Sequence, residues 1–300
     1  MAHLLNKNMN DLTEAEKRII INLRNSKPSK PFSSVTLTDV KRVDGLGLKL
    51  QHIEPHIATS TLHMPANIPS PTPSSNLCEN LKRIYSTWAL NTEMACRTII
   101  DAIIIECLYE SQTDLTGFCE VNNSWSGTGF GYTGAVDYMI GSSGSRDTAD
   151  NLDSFFLVVE AKKEWPDSYV LFSIPYFKLL LIFSFRSALP QVLAEAGCLL
   201  NKRLAAGMHT PVFAVLTNAQ FFQFFAIDTE SIVYCSGAPM VLAAGPDGSW
   251  STSTSLVDIL KWFRWFITCM ASISPRASGV DMTQTMERAL ADVRDCFGKK

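Results

Sequence analysis

The chain has 300 residues, 46% of them apolar and 18% charged, which suits one large globular domain or two small ones and excludes a disordered polymer. Its formal net charge of −3 excludes a global positive field, so any nucleic-acid binding needs a local basic patch.

Residues 11–25, DLTEAEKRIIINLRN, read as a helix, with Thr13 and Glu16 forming a capping box and Ala15, Ile19 and Leu23 on one face. Residues 26–77 are rich in Pro, Ser and Thr and read as a linker or an arm ordered on contact. His52, His56 and His63 fall there; with no Cys nearby they are expected to be exposed linker residues rather than a metal cluster. Residues 78–110 are helical in pattern, with Asn91 capping a helix from Thr92 to about Leu108 whose buried stripe is Ile99, Ile100, Ile103, Ile104 and Cys107.

A Gly-rich stretch, GTGFGYTG at 127–134, precedes a strand over 135–141, AVDYMIG. A polar loop then leads into a second strand at 155–163, FFLVVEAKK, and the two are expected to be antiparallel neighbours. A helix over 189–206 starts with Pro190 near its first turn and stops at Gly207. Strands at 211–218, 220–228 and 231–237 follow, then helices at 255–273 and 281–297 with Ser255 and Asp281 as caps. Trp262, Phe263, Trp265 and Phe266 load the first of these helices with aromatic surface expected in the core. The order of elements predicts an α/β (α+β) fold, a mixed sheet flanked by helices.

Cysteines number eight, none in a CxxC pair and most inside apolar runs, a pattern of buried thiols in a reducing compartment. The first 30 residues lack the apolar core of a signal peptide, so an intracellular site, nucleus or cytoplasm, is expected.

The second strand carries the chemistry. Alternation puts Phe156, Val158, Glu160 and Lys162 on one face, so an acid and a base stand side by side at the strand's end. The preceding strand holds Asp137, an acid that β propensity disfavours and that needs a solvent opening, a cation or a metal. If the two strands pair, Asp137 and Glu160 converge on one hard cation, Mg²⁺ or Mn²⁺. Such an ion polarises a phosphate and lowers the pKa of a bound water, while Lys162 orients that water or stabilises developing charge.

G-x-V-D-Y, then F-L-V-V-E-A-K, then a helix opening with Gln, then P-V-F-A-V-L-T-N and an aromatic strand resembles the PD-(D/E)XK, restriction-endonuclease-like nuclease superfamily, in detail its fungal members. The resemblance covers roughly residues 88–240, although Ala135-Val136 stand where the proline of the name would precede Asp137. It implies a core order αβββαβ, Mg²⁺-dependent phosphodiester hydrolysis and DNA as the commonest substrate. It also implies that Asp137 is the motif aspartate, Glu160 and Lys162 the E-x-K pair, and Gln191 the glutamine opening the next helix. A further acid on the first core helix is implied, with Glu93 chosen over Asp101 and Glu106. Lys162, Lys163, Lys202 and Arg203 are the basic residues near this set, and Gln191, Lys163 and Lys202 are the expected nucleic-acid contacts.

Several readings stay open. Glu93 and Arg97 could form a plain helical ion pair, and the face Gln191, Glu195, Cys198 and Lys202 could meet DNA or simply be wet. Residues 169–188, YVLFSIPYFKLLLIFSFRSA, can be read as a membrane span, as a surface insertion or as a translated intron; Pro175 and Lys178 argue against the span. The expected organisation is an N-terminal arm (1–77), a nuclease-like domain (78–240) and C-terminal helices packed on it (241–300). The alternatives to a nuclease are an inactive nuclease-fold binding module and a membrane-anchored protein.

Overall fold

The computed structural model describes Thr13 and residues 28–50, 61–142, 155–162 and 177–273; for Phe155, Phe156 and residues 177–187 it describes the backbone alone. The helices expected over 11–25 and 281–297 therefore fall outside the described residues, Thr13 excepted, as do His52, His56, Lys163 and 169–176.

The chain runs β1 (Ser29–Pro31), a 3-10 turn (Phe32–Ser34), α1 (Leu37–Val40), α2 (Ser75–Thr87), α3 (Glu93–Ser111), β2 (Leu115–Ser126), β3 (Gly131–Ser142) and β4 (Phe155–Ala161). It continues with α4 (Phe177–Ala205), β5 (Val212–Thr217), β6 (Phe221–Ile227), β7 (Val233–Cys235), β8 (Met240–Val241) and α5 (Thr254–Ile273). The strands form one mixed sheet in the order β1-β3-β4-β5-β6-β7, with β2 on β3 and β8 on β6. β4 and β5 are parallel, with α4 as the crossover between them, while β2, β3 and β4 form an antiparallel run.

Helices cover both faces, so the central strands are apolar on both sides. One face packs against α2, α3 and α5 through Ile99, Ile103, Leu157, Val159, Phe213 and Phe224. Phe224 anchors α5 there: its ring stacks on Trp262 at 5.3 Å and meets Phe263 and Phe266 edge-on at 5.4 and 5.7 Å. The aromatic load of α5 is core, as its spacing predicts. The other face packs against α4 and the N-terminal segment through Met139, Val158, Ala214, Val192 and Leu193.

Residues 28–50 take the ordered-arm form. Phe32, Val35, Val40, Leu46, Leu48 and Leu50 are buried against the α4 side of the sheet, and β1 pairs in parallel with Gly131–Thr133. Phe32 lies so close to Gly134 that a Cβ there would stand 2.7 Å from its ring. Phe32→Ala should therefore lower stability by about 3 kcal/mol in urea denaturation, the cost of emptying a buried aromatic site.

Several expectations need correction. The residue pattern alone leaves 115–126 without a strand, because half of LTGFCEVNNSWS is exposed and polar, although the αβββαβ order has a place for one; the ladder to β3 along its length makes β2 a strand. β3 begins at Gly131 rather than 135, and α4 begins at Phe177 rather than 189, so Pro190 lies inside the helix. A proline there removes one i→i−4 bond, a cost that packing on the sheet offsets. Thr92, not Asn91, caps α3, its Oγ1 accepting from the Ala95 N–H at 3.1 Å. Ser253, not Ser255, caps α5, accepting from Leu256 N–H at 3.0 Å. No helix among the described residues is long and apolar enough to cross a membrane.

Candidate active site

β3 carries two different strands on one edge: β1 along Gly131–Thr133 and β4 along Tyr138–Gly141. Between them Gly134, Ala135 and Val136 pair with β2 alone, and Asp137 lies in neither ladder. Glu120, across on β2, has a left-handed backbone (φ 53°), a conformation that side chains other than glycine's adopt at a cost. The sheet thus opens a wedge where β3 and β4 part, just past the Tyr138–Val159 pair.

Asp137 fills the head of that wedge. Its Oδ2 accepts the Ala161 N–H at 2.7 Å, standing in for a backbone acceptor, and its Oδ1 is bonded by Arg97 from α3. Arg97 also binds Glu120 and, at 3.0 Å, Glu93, so one guanidinium is shared among three carboxylates. Arg97→Met should cost roughly 2 kcal/mol of stability, since it strands the buried Asp137 charge; chemical denaturation would measure it.

Glu160 precedes Ala161 and points to the α4 side, where it is 2% exposed. Its Oε1 accepts from Lys162 Nζ at 2.6 Å and from Gln191 Nε2 at 2.6 Å. The Lys162 N–H donates to the Thr217 carbonyl at 2.9 Å, which fixes this strand end against β5 while the Lys162 side chain stays 32% exposed. The Gln191 amide reaches a second acid, donating to Glu195 Oε1 at 2.9 Å. Glu195 is fully buried, and Asn123 from β2 donates to its backbone carbonyl at 3.0 Å.

Burial sets the electrostatics. Glu160 is pushed up to about 7, first by desolvation and then by the charge of Asp137. Glu195 is held well above the usual carboxylate range, first by burial and then by Glu160, with which it shares a side-chain hydrogen bond that one proton must supply. Burial also raises Asp137, against the pull of the Ala161 N–H and Arg97. For Lys162 burial works to lower the pKa, but Glu160's charge and hydrogen bond outweigh it and the ammonium form is favoured.

Asp137, Glu160, Lys162 and Gln191 therefore come together, and Glu93 reaches them only through Arg97. The competing acids of α3 lie elsewhere: Glu106 accepts from Ser74 N–H and Oγ at 2.9 and 2.7 Å, and Asp101 bonds the Tyr138 side chain. Lys202 is three turns beyond Gln191 on α4, about 16 Å along the axis, and its neighbour is Cys198 rather than the carboxylates. His63 is exposed. The face Gln191–Glu195–Cys198–Lys202 is not wet: Glu195 and Cys198 are fully buried against the sheet. Sequence reasoning placed Glu195 on that face but did not make it part of the site; its spacing of four from Gln191 was the available signal. Arg97 was missed as the counter-cation of Asp137, and the i,i+4 spacing to Glu93 was its only trace.

A hard divalent cation takes oxygen donors, and the acids at this point are oxygen donors. Glu160 Oε2 and Glu195 Oε2 are buried carboxylate oxygens that accept no N–H hydrogen bond. Among the described residues no three His, Cys, Asp or Glu side chains stand close enough to enclose an ion by themselves. Two carboxylates with water making up the shell match the preference of Mg²⁺, which keeps several waters. No protein-family model matches the chain, and no curated protein matches it.

Proposed function

We propose that this chain is a metal-dependent nuclease of the PD-(D/E)XK type, hydrolysing phosphodiester bonds of nucleic acid, with DNA the favoured substrate. The observation that carries this reading is the Asp137 carboxylate seated on the Ala161 N–H where β3 and β4 part, with Glu160 and Lys162 flanking that same residue. The run α3-β2-β3-β4-α4-β5 supports it, because it matches the αβββαβ order that the resemblance implies.

In this reading Asp137 and Glu160 hold Mg²⁺ or Mn²⁺. The bound ion would supply Lewis-acid polarisation of a phosphoryl oxygen and a water acidic enough to attack near neutral pH. The protein's own groups do the rest. Arg97 and the Ala161 N–H fix the Asp137 carboxylate, so its orientation costs nothing when substrate arrives. Gln191 fixes Glu160 from the other side. Lys162, partly exposed at the strand end, presents an ammonium where charge develops on the phosphate.

The test is cleavage of single- and double-stranded DNA and RNA by the full chain with Mg²⁺, Mn²⁺ or excess chelator. Metal-dependent cutting that chelator abolishes is the expected result. No cutting of any substrate with either metal would overturn the catalytic reading, and a gel-shift assay would then show whether a binding module remains.

A further inference from the structure

One transverse row of the sheet runs from the candidate site to a cavity beside α2. Ala161, whose N–H seats Asp137, pairs with Thr217, Thr217 with Phe222, and Phe222 with Met240. Three strand spacings of about 4.8 Å each put Met240 roughly 14 Å from Ala161. Two residues on, the Leu242 N–H donates to the Gln220 carbonyl at 2.7 Å and holds the loop after β8 at this end of the sheet. A cavity of about 370 Å³ opens there, lined by Lys82, Tyr85 and Ser86 of α2 and by Leu242, Ala244 and Trp250 of the loop. It belongs to the face of the sheet from which Arg97 reaches Asp137.

The cavity has the size of a small-ligand site and two kinds of wall. Tyr85 and Trp250 pack ring against ring with centroids 4.9 Å apart, and Leu242 is buried beside them. Lys82 is exposed and forms no ion pair among the described residues, whereas its neighbour Arg83 is taken by Glu79 at 3.1 Å. The Tyr85 hydroxyl is buried and no protein group bonds it. A phenylalanine would fill the place of that ring without the desolvation cost, so packing alone does not account for the tyrosine. Aromatic and apolar surface beside an unpaired ammonium suits a nucleotide, its base on the rings and its phosphate on the cation. A duplex keeps its bases paired and stacked, so a base sunk in a cavity comes from unpaired strand.

We propose that this cavity is a subsite for one unpaired base of the substrate strand, with Lys82 on an adjacent phosphate. A gap of 14 Å is roughly four nucleotides of stacked strand at about 3.4 Å each, and fewer of an extended one. This inference rests on the nuclease reading and narrows its substrate to nucleic acid that is single-stranded on this side of the scissile bond.

The test is fluorescence anisotropy of the full chain in excess chelator, so that binding is read apart from cutting. The probes are a labelled oligothymidylate about 12 nucleotides long and a labelled duplex of the same length. The expected result is tighter binding of the single strand, weakened about tenfold by Lys82→Ala and by Ala244→Leu, which fills the cavity from an exposed position. Lys82→Ala should also lower the slope of log affinity on log salt by about 0.7, the loss of one phosphate contact, which a loosened fold would not produce. Wild-type affinity in both variants, or equal affinity of wild type for the two probes, would overturn the subsite and leave the nuclease reading standing. Should Ala244→Leu melt below wild type, the salt slope of Lys82→Ala decides alone, and an unchanged slope overturns the subsite. Single-strand binding lost in the variants of a chain that cuts no substrate would overturn the nuclease reading and support the cavity as a single-strand site.

Discussion

Lys162→Ala should reduce metal-supported cleavage roughly 1,000-fold while leaving the fold in place. The side chain is 32% exposed, so the protein loses little packing when it is removed, and Glu160, already pushed up to about 7, can take a proton in place of its lost cation. What disappears is an ammonium at the strand end that can meet a phosphate as negative charge builds. Substrate binding should weaken far less than turnover, because this charge matters most in the transition state. Single-turnover rates at saturating enzyme, with circular dichroism as the control on folding, would measure it. Equal rates in wild type and variant would sink the assigned role. Glu160→Gln should lose cleavage at least as completely, and Mn²⁺ affinity with it, which separates the ligand from the charge-stabilising group.

Without metal, stability should fall as pH rises from about 4.5 to about 7. The sign follows from proton linkage. Glu160 has its folded pKa raised from 4.5 to about 7, so within that window the native state binds more protons than the unfolded one. Stability is then greatest at the acid end and is lost as pH climbs through the folded pKa. The loss is on the order of 3 kcal/mol for Glu160. Glu195, also held well above the usual carboxylate range by burial, adds to it with the same sign. Urea midpoints across this range would show the slope. Saturating Mn²⁺ should flatten or reverse it, because an ion held by the carboxylates replaces the proton and stabilises the charged form. The same linkage makes Mn²⁺ affinity rise with pH up to and beyond 7. Flat metal-free stability across the window would mean that Glu160 is not strained by burial.

The hydrophobic run of β4, the buried stripe Ile99–Cys107 of α3 and the aromatic face of α5 were legible before any coordinates, because each rests on a local period of two or of 3.6. So was the pairing of Glu160 with Lys162, whose spacing of two on a strand guarantees a common face. The antiparallel approach of Asp137's strand to Glu160's was likewise expected from two strands joined by a polar loop.

Other features had no local signal. β2 is a strand because β3 offers it a ladder, not because its polar residues prefer one. Phe32, Val40 and Leu48 sit in a Pro- and Ser-rich stretch, and only the α4 face of the sheet makes them core. Pro190 reads as a helix start by its chemistry, yet burial of the residues around it carries α4 through it.

The candidate site divides in the same way. Chain order and side-chain alternation alone determined that an aspartate would lie on the strand next to the one that ends in a glutamate and a lysine. The tertiary fold decided which groups hold them: Arg97 from one face, Gln191 and Glu195 from the other, and the Ala161 N–H freed where β3 and β4 part. Those partners lie 24 to 40 residues away in sequence from the acids they meet. Local periodicity carries no information at that range, because such contacts form only when two separate hydrophobic faces close on one sheet.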